Sequence, residues 1–437
     1  MPIVQTVARP LHNRTVHRAV LENGIVVLAV ENSAADIVAT RIFIRAGSRY
    51  EPPELAGLSH LWAAVLTKGT QNLSSQEIAE RVESVGASLG ADSAADYCLL
   101  SLKTVAADLP EMLALAAELL QVPSFPEAEV ELERRLAQQG IRSMQEQPFA
   151  VAHNQLRQAM YGNHPYALPG IGTEATVAEL NRDILQDYHH SYFRPENMVV
   201  SVAGRIDPEK AIALIDHHLG NWLPPQPQNS ALPSAPSLPV VTAHPKQVIT
   251  QRETQQAIVM LGYLTESVQS QDHTVLKLLS TYLGNGLSSR LFVELREKRG
   301  LAYEVSAFYP TRVDASHFVV YIGTAPENTA IAQAGLRHEI ERLRTTLLNP
   351  DELQAAKNKL LGQYALSKQT NAQLAQLFGW YEILGLGIGY DEDFQKHVSS
   401  VTAEEIQQVV LRYFSEPYVS LVGPELAVNL LQPSIVP

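Results

Sequence analysis

Cysteine is nearly missing from this chain of 437 residues, where Cys98 stands alone. A single thiol excludes any disulfide within the chain. Aromatic residues are sparse, at 7% of the total with three tryptophans. Long apolar runs are missing too. The opening residues do not read as a secretory leader, and no stretch reads as a membrane-spanning helix. Positive charge is in deficit: 33 lysines and arginines face 46 aspartates and glutamates, a formal net charge of −13. That balance disfavours nucleic acid and anionic membranes as partners and suits a cavity that receives basic or extended peptides. A cytoplasmic location is the expectation these absences support. What the chain has in quantity is apolar sequence, 46% of all residues, the fraction of a globular protein with large cores. At this length two or three domains are expected.

Strand-like segments come first. Residues 26–30 and 37–44 are β-branched and apolar, and Asn23-Gly24 marks a turn before them. Ser74 with Glu77 three positions on is a capping box. Ile78, Val82 and Val85 follow at helical spacing, up to Gly86. Residues 87–92 and 97–102 read as a hairpin, and 110–120 and 127–143 as helices separated by Pro123 and Pro126. Residues 194–204 read as a turn and a buried strand. Prolines crowd 221–246, which reads as an extended linker. After it the order of elements recurs from residue 257 onward. The natural inference is two copies of one α+β domain, over 1–222 and 248–437, joined by a linker over 223–247 and facing each other about an enclosed space. The adjacent pairs His189-His190 and His217-His218 point in different directions on a helix and are expected at the surface. Gly385-Leu386-Gly387-Ile388-Gly389 lacks the lysine and the flanking strand of a phosphate loop and reads as a turn between helices.

One stretch carries the remnant of a chemistry. Gly57-Leu58-Ser59-His60 leads into Leu66-Thr67-Lys68-Gly69-Thr70, and a helix brings positions i, i+3 and i+4 onto one face. In the inverted zinc motif H-x-x-E-H that face carries two imidazoles and a carboxylate. The same positions here hold His60, Ala63 and Ala64. A methyl group has no lone pair for zinc and takes no proton from water. One histidine is not a site, because zinc needs three or four protein ligands. Read alone, His60 is a polar residue on an amphipathic helix.

The flanks of His60 resemble the zinc-helix segment of the pitrilysin/insulinase-type (M16) metallopeptidases, which include the mitochondrial processing peptidases and two-domain bacterial relatives. Residues 285–303, Asn285-Gly286-Leu287-Ser288-Ser289-Arg290 through Arg296 to Tyr303, resemble that family most. The resemblance implies an M16/LuxS-like fold: two homologous domains, each a mainly antiparallel sheet flanked by helices, facing each other like a clam. It implies a third metal ligand, a glutamate from the long helix, whose matching position is Gly140 with Gln139 before it. Glu133 matches a second family glutamate that supports the ligand shell. The strand at 87–92 matches an edge to which a substrate peptide adds, with Gly90-Ala91 where the family has Asn-Ala. Arg296 and Tyr303 match an arginine–tyrosine pair that holds the substrate carbonyl. Without the resemblance they read as a solvated charge and a packing aromatic.

The expectation is a non-catalytic subunit of a heterodimeric zinc peptidase, offering Arg296 and Tyr303 to a peptide in its partner's site. It holds no metal; the zinc is expected in the partner. A second reading is a structural or peptide-binding protein, either a homodimer or a scaffold subunit, with no part in proteolysis. A third is a free-standing peptidase with a metal site rebuilt from His60, Asp92 or Glu133.

Overall fold

The computed structural model describes residues 3–11, 14–223 and 238–431. Residues 224–237, the larger part of the expected linker, lie outside the described residues. Among the described residues, twelve strands form two sheets. The first contains β1 (Ile3–Leu11), β2 (Arg14–Leu21), β3 (Val26–Glu31), β4 (Ile37–Ile44), β5 (Ser88–Ser93), β6 (Cys98–Val105) and β7 (Met198–Gly204). Their order is β1-β2-β3-β7-β4-β6-β5. The second contains β8 (Gln247–Gln251), β9 (Ala257–Thr265), β10 (Glu304–Phe308), β11 (Ser316–Thr324) and β12 (Tyr418–Gly423), in the order β10-β11-β9-β12-β8.

Side-chain chemistry sorts these strands. β7 and β11 are buried at every position; their continuous apolar runs suit strands covered on both faces. β5, with the sequence SLGADS, has no fully buried residue and lies at an edge. Taken from the parallel pair outward, β3-β7-β4-β6-β5 and β8-β12-β9-β11-β10 are one arrangement. Each begins with a parallel pairing and continues antiparallel. The recurrence in the sequence is therefore a repeated sheet plan, to which the first copy adds the β1–β2 hairpin.

The compact units do not follow the expected boundaries at 222 and 248. One comprises Met1–Ile141, Pro169–Leu238 and Ala365–Glu392; the other comprises Arg142–Leu168, Pro239–Tyr364 and Asp393–Pro437. Each sheet is thus covered by a helix from the opposite half of the sequence. The helix Pro148–Tyr161 packs on β9 and β12. Ser420 Oγ donates to the Ala152 carbonyl at 2.8 Å, and Gln155 Nε2 donates to the Leu421 carbonyl at 3.1 Å. Gly262 makes room for this helix, since a β-carbon there would lie 2.9 Å from Met160 Sδ. The helix Asn371–Ile383 packs on β4 and β7. Here the glycine is on the helix: a β-carbon on Gly379 would lie 2.3 Å from Phe43 Cε2. No helix among the described residues is long and apolar enough to cross a membrane.

Candidate functional site

The helix Leu58–Leu66 is held by its apolar face, with Leu58, Leu61, Trp62, Val65 and Leu66 buried. Its first turn is capped from upstream. The Glu51 carboxylate accepts from the backbone N–H groups of Gly57 (2.8 Å) and Ser59 (2.7 Å), so two donors that a helix start leaves without partners are satisfied. Burial pushes the Glu51 carboxyl above its ordinary pKa, against the pull of those hydrogen bonds. Glu51 carries no sequence signal for this role, since it lies well outside the capping-box spacing. Deeper in, Trp62 stacks on Phe193 and donates from Nε1 to His189 Nδ1 at 3.2 Å. His189 was expected at the surface; it is buried instead. Its Nε2 donates to the Leu120 carbonyl at 2.9 Å, and burial lowers its pKa to about 3. His190 and His217 are exposed and His218 is half-buried.

On the face where H-x-x-E-H would hold a metal, His60 is half-buried, Ala63 buried and Ala64 half-buried. Desolvation lowers the His60 pKa, opposed by the charges of Glu133 and Asp92. Glu133, on the helix Glu127–Glu146, is paired with the Lys68 ammonium at 2.8 Å. Gly140 is on the same helix, and a β-carbon there would lie 3.2 Å from Ile171 Cδ1, so an apolar neighbour crowds the position where a carboxylate would begin. Among the described residues, no three His, Cys, Asp or Glu side chains gather in a geometry for a metal ion. Zinc requires three or four nitrogen, oxygen or sulfur donors. The charges near this face are one imidazole, the Glu133 carboxylate already paired with an ammonium, and Asp92 on β5, and they do not gather into a ligand set, so the residues present do not fit a zinc ion.

β5, which carries Gly90 and Asp92, pairs with β6 alone. Nothing lies within 4 Å of where a Gly90 β-carbon would be. The expected edge is therefore an edge, with backbone groups free of a second strand partner among the described residues.

Arg296 and Tyr303 are both in the second unit, on either side of one turn. The helical segment Phe292–Glu297 has the wider π-type ladder, with the Lys298 N–H bonded to the Val293 carbonyl at 3.0 Å. Gly300 closes it at φ 63°, and the Leu301 N–H returns to the Leu295 carbonyl at 2.9 Å, as in a Schellman end. Buried Leu295 and the Arg290–Glu339 ion pair (2.7 Å) anchor the inner side of the segment. Arg296 is left exposed, its guanidinium 4.9 Å over the Phe292 ring. Beyond the turn the Tyr303 N–H bonds to the Gly323 carbonyl at 2.9 Å, which prolongs the pairing of β10 with β11. The Tyr303 side chain is 63% exposed, too open for a packing aromatic. The backbone on both sides of the turn is fixed, and both side chains are open to solvent.

The family model for insulinase-type peptidases of family M16 matches residues 26–174, and that for the M16 peptidase inactive domain matches residues 179–360. The uncharacterized zinc protease YmxG of Bacillus subtilis is 28% identical over 94% of this chain and 98% of its own. An uncharacterized zinc protease of Mycobacterium tuberculosis is 28% identical over 93% of each. Among solved structures, a protease from Helicobacter pylori superposes with TM-score 0.86 at 22% identity, covering 93% of this chain and 99% of that one. A peptidase M16 inactive domain from Pseudomonas fluorescens gives 0.85 at 23% identity, covering 94% and 98%.

Proposed function

The chain belongs to the M16 peptidase family, and we propose that it serves there as a non-catalytic subunit, completing the active site of a zinc-bearing partner. The observation that carries this reading is a contrast between its two units. The helix of His60 offers one metal donor, Ala63 and Ala64 on it offer none, and neither does Gly140 on the helix Glu127–Glu146. Arg296 and Tyr303, by contrast, are held on an anchored turn with their side chains exposed. The zinc and the general base belong to the partner. What this chain contributes is positive charge and a phenol. A guanidinium and a hydroxyl set on a substrate carbonyl stabilise the charge that develops on its oxygen when the bond is attacked. The open edge of β5 supports peptide binding by strand addition, through main-chain hydrogen bonds that tolerate many sequences. Gly90 offers no side-chain amide to that peptide.

Reconstitution with a zinc-bearing family member from the same cell tests the reading. Peptide hydrolysis is expected from the pair and not from this chain alone. Arg296→Ala and Tyr303→Phe in this chain are each expected to lower the rate of the pair by roughly 100-fold, the effect of losing one preorganised donor. Unchanged turnover in both variants removes their assigned role. A homodimer that binds peptide and adds nothing to any zinc-bearing relative would favour the scaffold reading instead.

A further inference from the structure

A cavity of about 220 Å³ beneath the turn at residues 285–290 has no part in the function above. Ser288, Ser289, Arg290, Glu294, Glu352 and Lys359 are among its lining residues, all in the second unit. Ser289 is 2% exposed, and its hydroxyl is buried with no hydrogen-bond partner. Buried polar atoms are nearly always paired, and one that is not calls for a missing partner. The charges at the cavity are unequal in the same sense. Arg290 reaches Glu339 at 2.7 Å, Glu294 at 3.1 Å and Glu352 at 3.8 Å. Lys298 adds a second cation to Glu294 at 2.8 Å, and Arg342 adds one to Glu352 at 3.3 Å. Every carboxylate here already has a cation. Lys359 remains, with no carboxylate within 4 Å among the described residues. Its ammonium lies under the turn, 3.3 Å from where a Gly286 β-carbon would be. Partial burial lowers its pKa, as expected for a cation with no counter-charge beside it.

We infer that this cavity binds a small oxyanion, a phosphate or a carboxylate, held by the Lys359 ammonium and the hydroxyls of Ser288 and Ser289. Charge-assisted hydrogen bonds from an ammonium suit either group. The ion would tie the helix Pro350–Leu366, which carries Lys359, to the turn from which the Arg296 segment starts. It would thereby steady the side chain assigned to the substrate without touching that substrate.

Calorimetric titration of the full chain with inorganic phosphate, and separately with acetate, at constant ionic strength in chloride tests the inference. Saturable one-site binding of at least one anion is expected. Lys359→Met is expected to weaken it roughly tenfold or more, and Ser289→Ala several-fold, while Lys359→Arg retains it. Binding of phosphate alone, of acetate alone or of both assigns the site to a phosphate, to a carboxylate or to oxyanions in general. Ser289→Ala removes a single oxygen and keeps the test usable should Lys359→Met fail to fold. No saturable binding of either anion, or binding that Ser289→Ala and a folded Lys359→Met leave unchanged, overturns the inference. No peptidase rate enters the test, so its outcome is independent of the partner-subunit reading.

Discussion

Glu51 shows how much one side chain outside any motif can decide. It is buried, and it satisfies two backbone donors at the start of the helix that carries His60. Glu51→Ala leaves both donors without a partner in a closed space. The expected cost is about 2–4 kcal/mol, the sum of a lost cap and a desolvated N–H, read as a lower midpoint in urea unfolding. A midpoint within error of the parent would contradict the capping role. The residue scale is also where the sequence was least informative. Ala63 and Ala64 could be located because each lacks a functional group at a position the zinc motif defines from His60, whereas Gly140 was placed only by the family pattern. Arg296 and Tyr303 needed the family pattern, because nothing in their chemistry separates them from a surface arginine and an aromatic. His189 was misplaced because its burial is decided by Trp62, Phe193 and the Leu120 carbonyl, and two of these are far from it in sequence.

At the scale of elements, local patterns carry most of the structure. The Ser74–Glu77 capping box is formed, with Ser74 Oγ accepting from the Glu77 N–H at 3.3 Å. The hairpin β5–β6 pairs as expected, β7 is wholly buried, and the glycines at 385 and 387 make a turn between helices. What local patterns could not give was the exchange of helices between the two halves. An amphipathic helix shows that it has an apolar face, not which sheet covers it. The information is in shape, in Gly262 on a strand and Gly379 on a helix. Gly379→Ala would place a β-carbon well inside van der Waals contact with Phe43. It should destabilise the first unit by about 1–3 kcal/mol, the usual penalty of overpacking, although alanine has the higher helix propensity. An exposed control, Gly362→Ala on the helix Pro350–Leu366, meets nothing within 4 Å and should be neutral or stabilising. Equal effects at both sites in thermal unfolding would refute the close docking of the exchanged helix.

For the molecule as a whole, buried neutral histidines set a limit toward acid. Burial lowers His189 and His273 to about 3 and His153 to about 4, the last with help from the Arg157 and Arg312 charges. The folded state refuses protons that the unfolded chain takes up below about pH 6.5. Stability is therefore complete above that pH and falls as pH drops toward the folded pKa values. Each group contributes about 1.4 kcal/mol per pH unit in that window. The melting temperature should decline between pH 6.5 and 5, before most carboxylates titrate; a flat profile there would mean that these imidazoles are not buried and neutral. The sheet plan, the repeated unit and the family pattern agree on a peptidase scaffold, and the His60 face departs from it. The measurement that tests this departure most directly is zinc content by mass spectrometry, on the isolated chain equilibrated with excess zinc and then desalted. The account predicts far less than one zinc per chain, unchanged by His60→Ala. One tightly held zinc per chain, lost with His60→Ala, would contradict it.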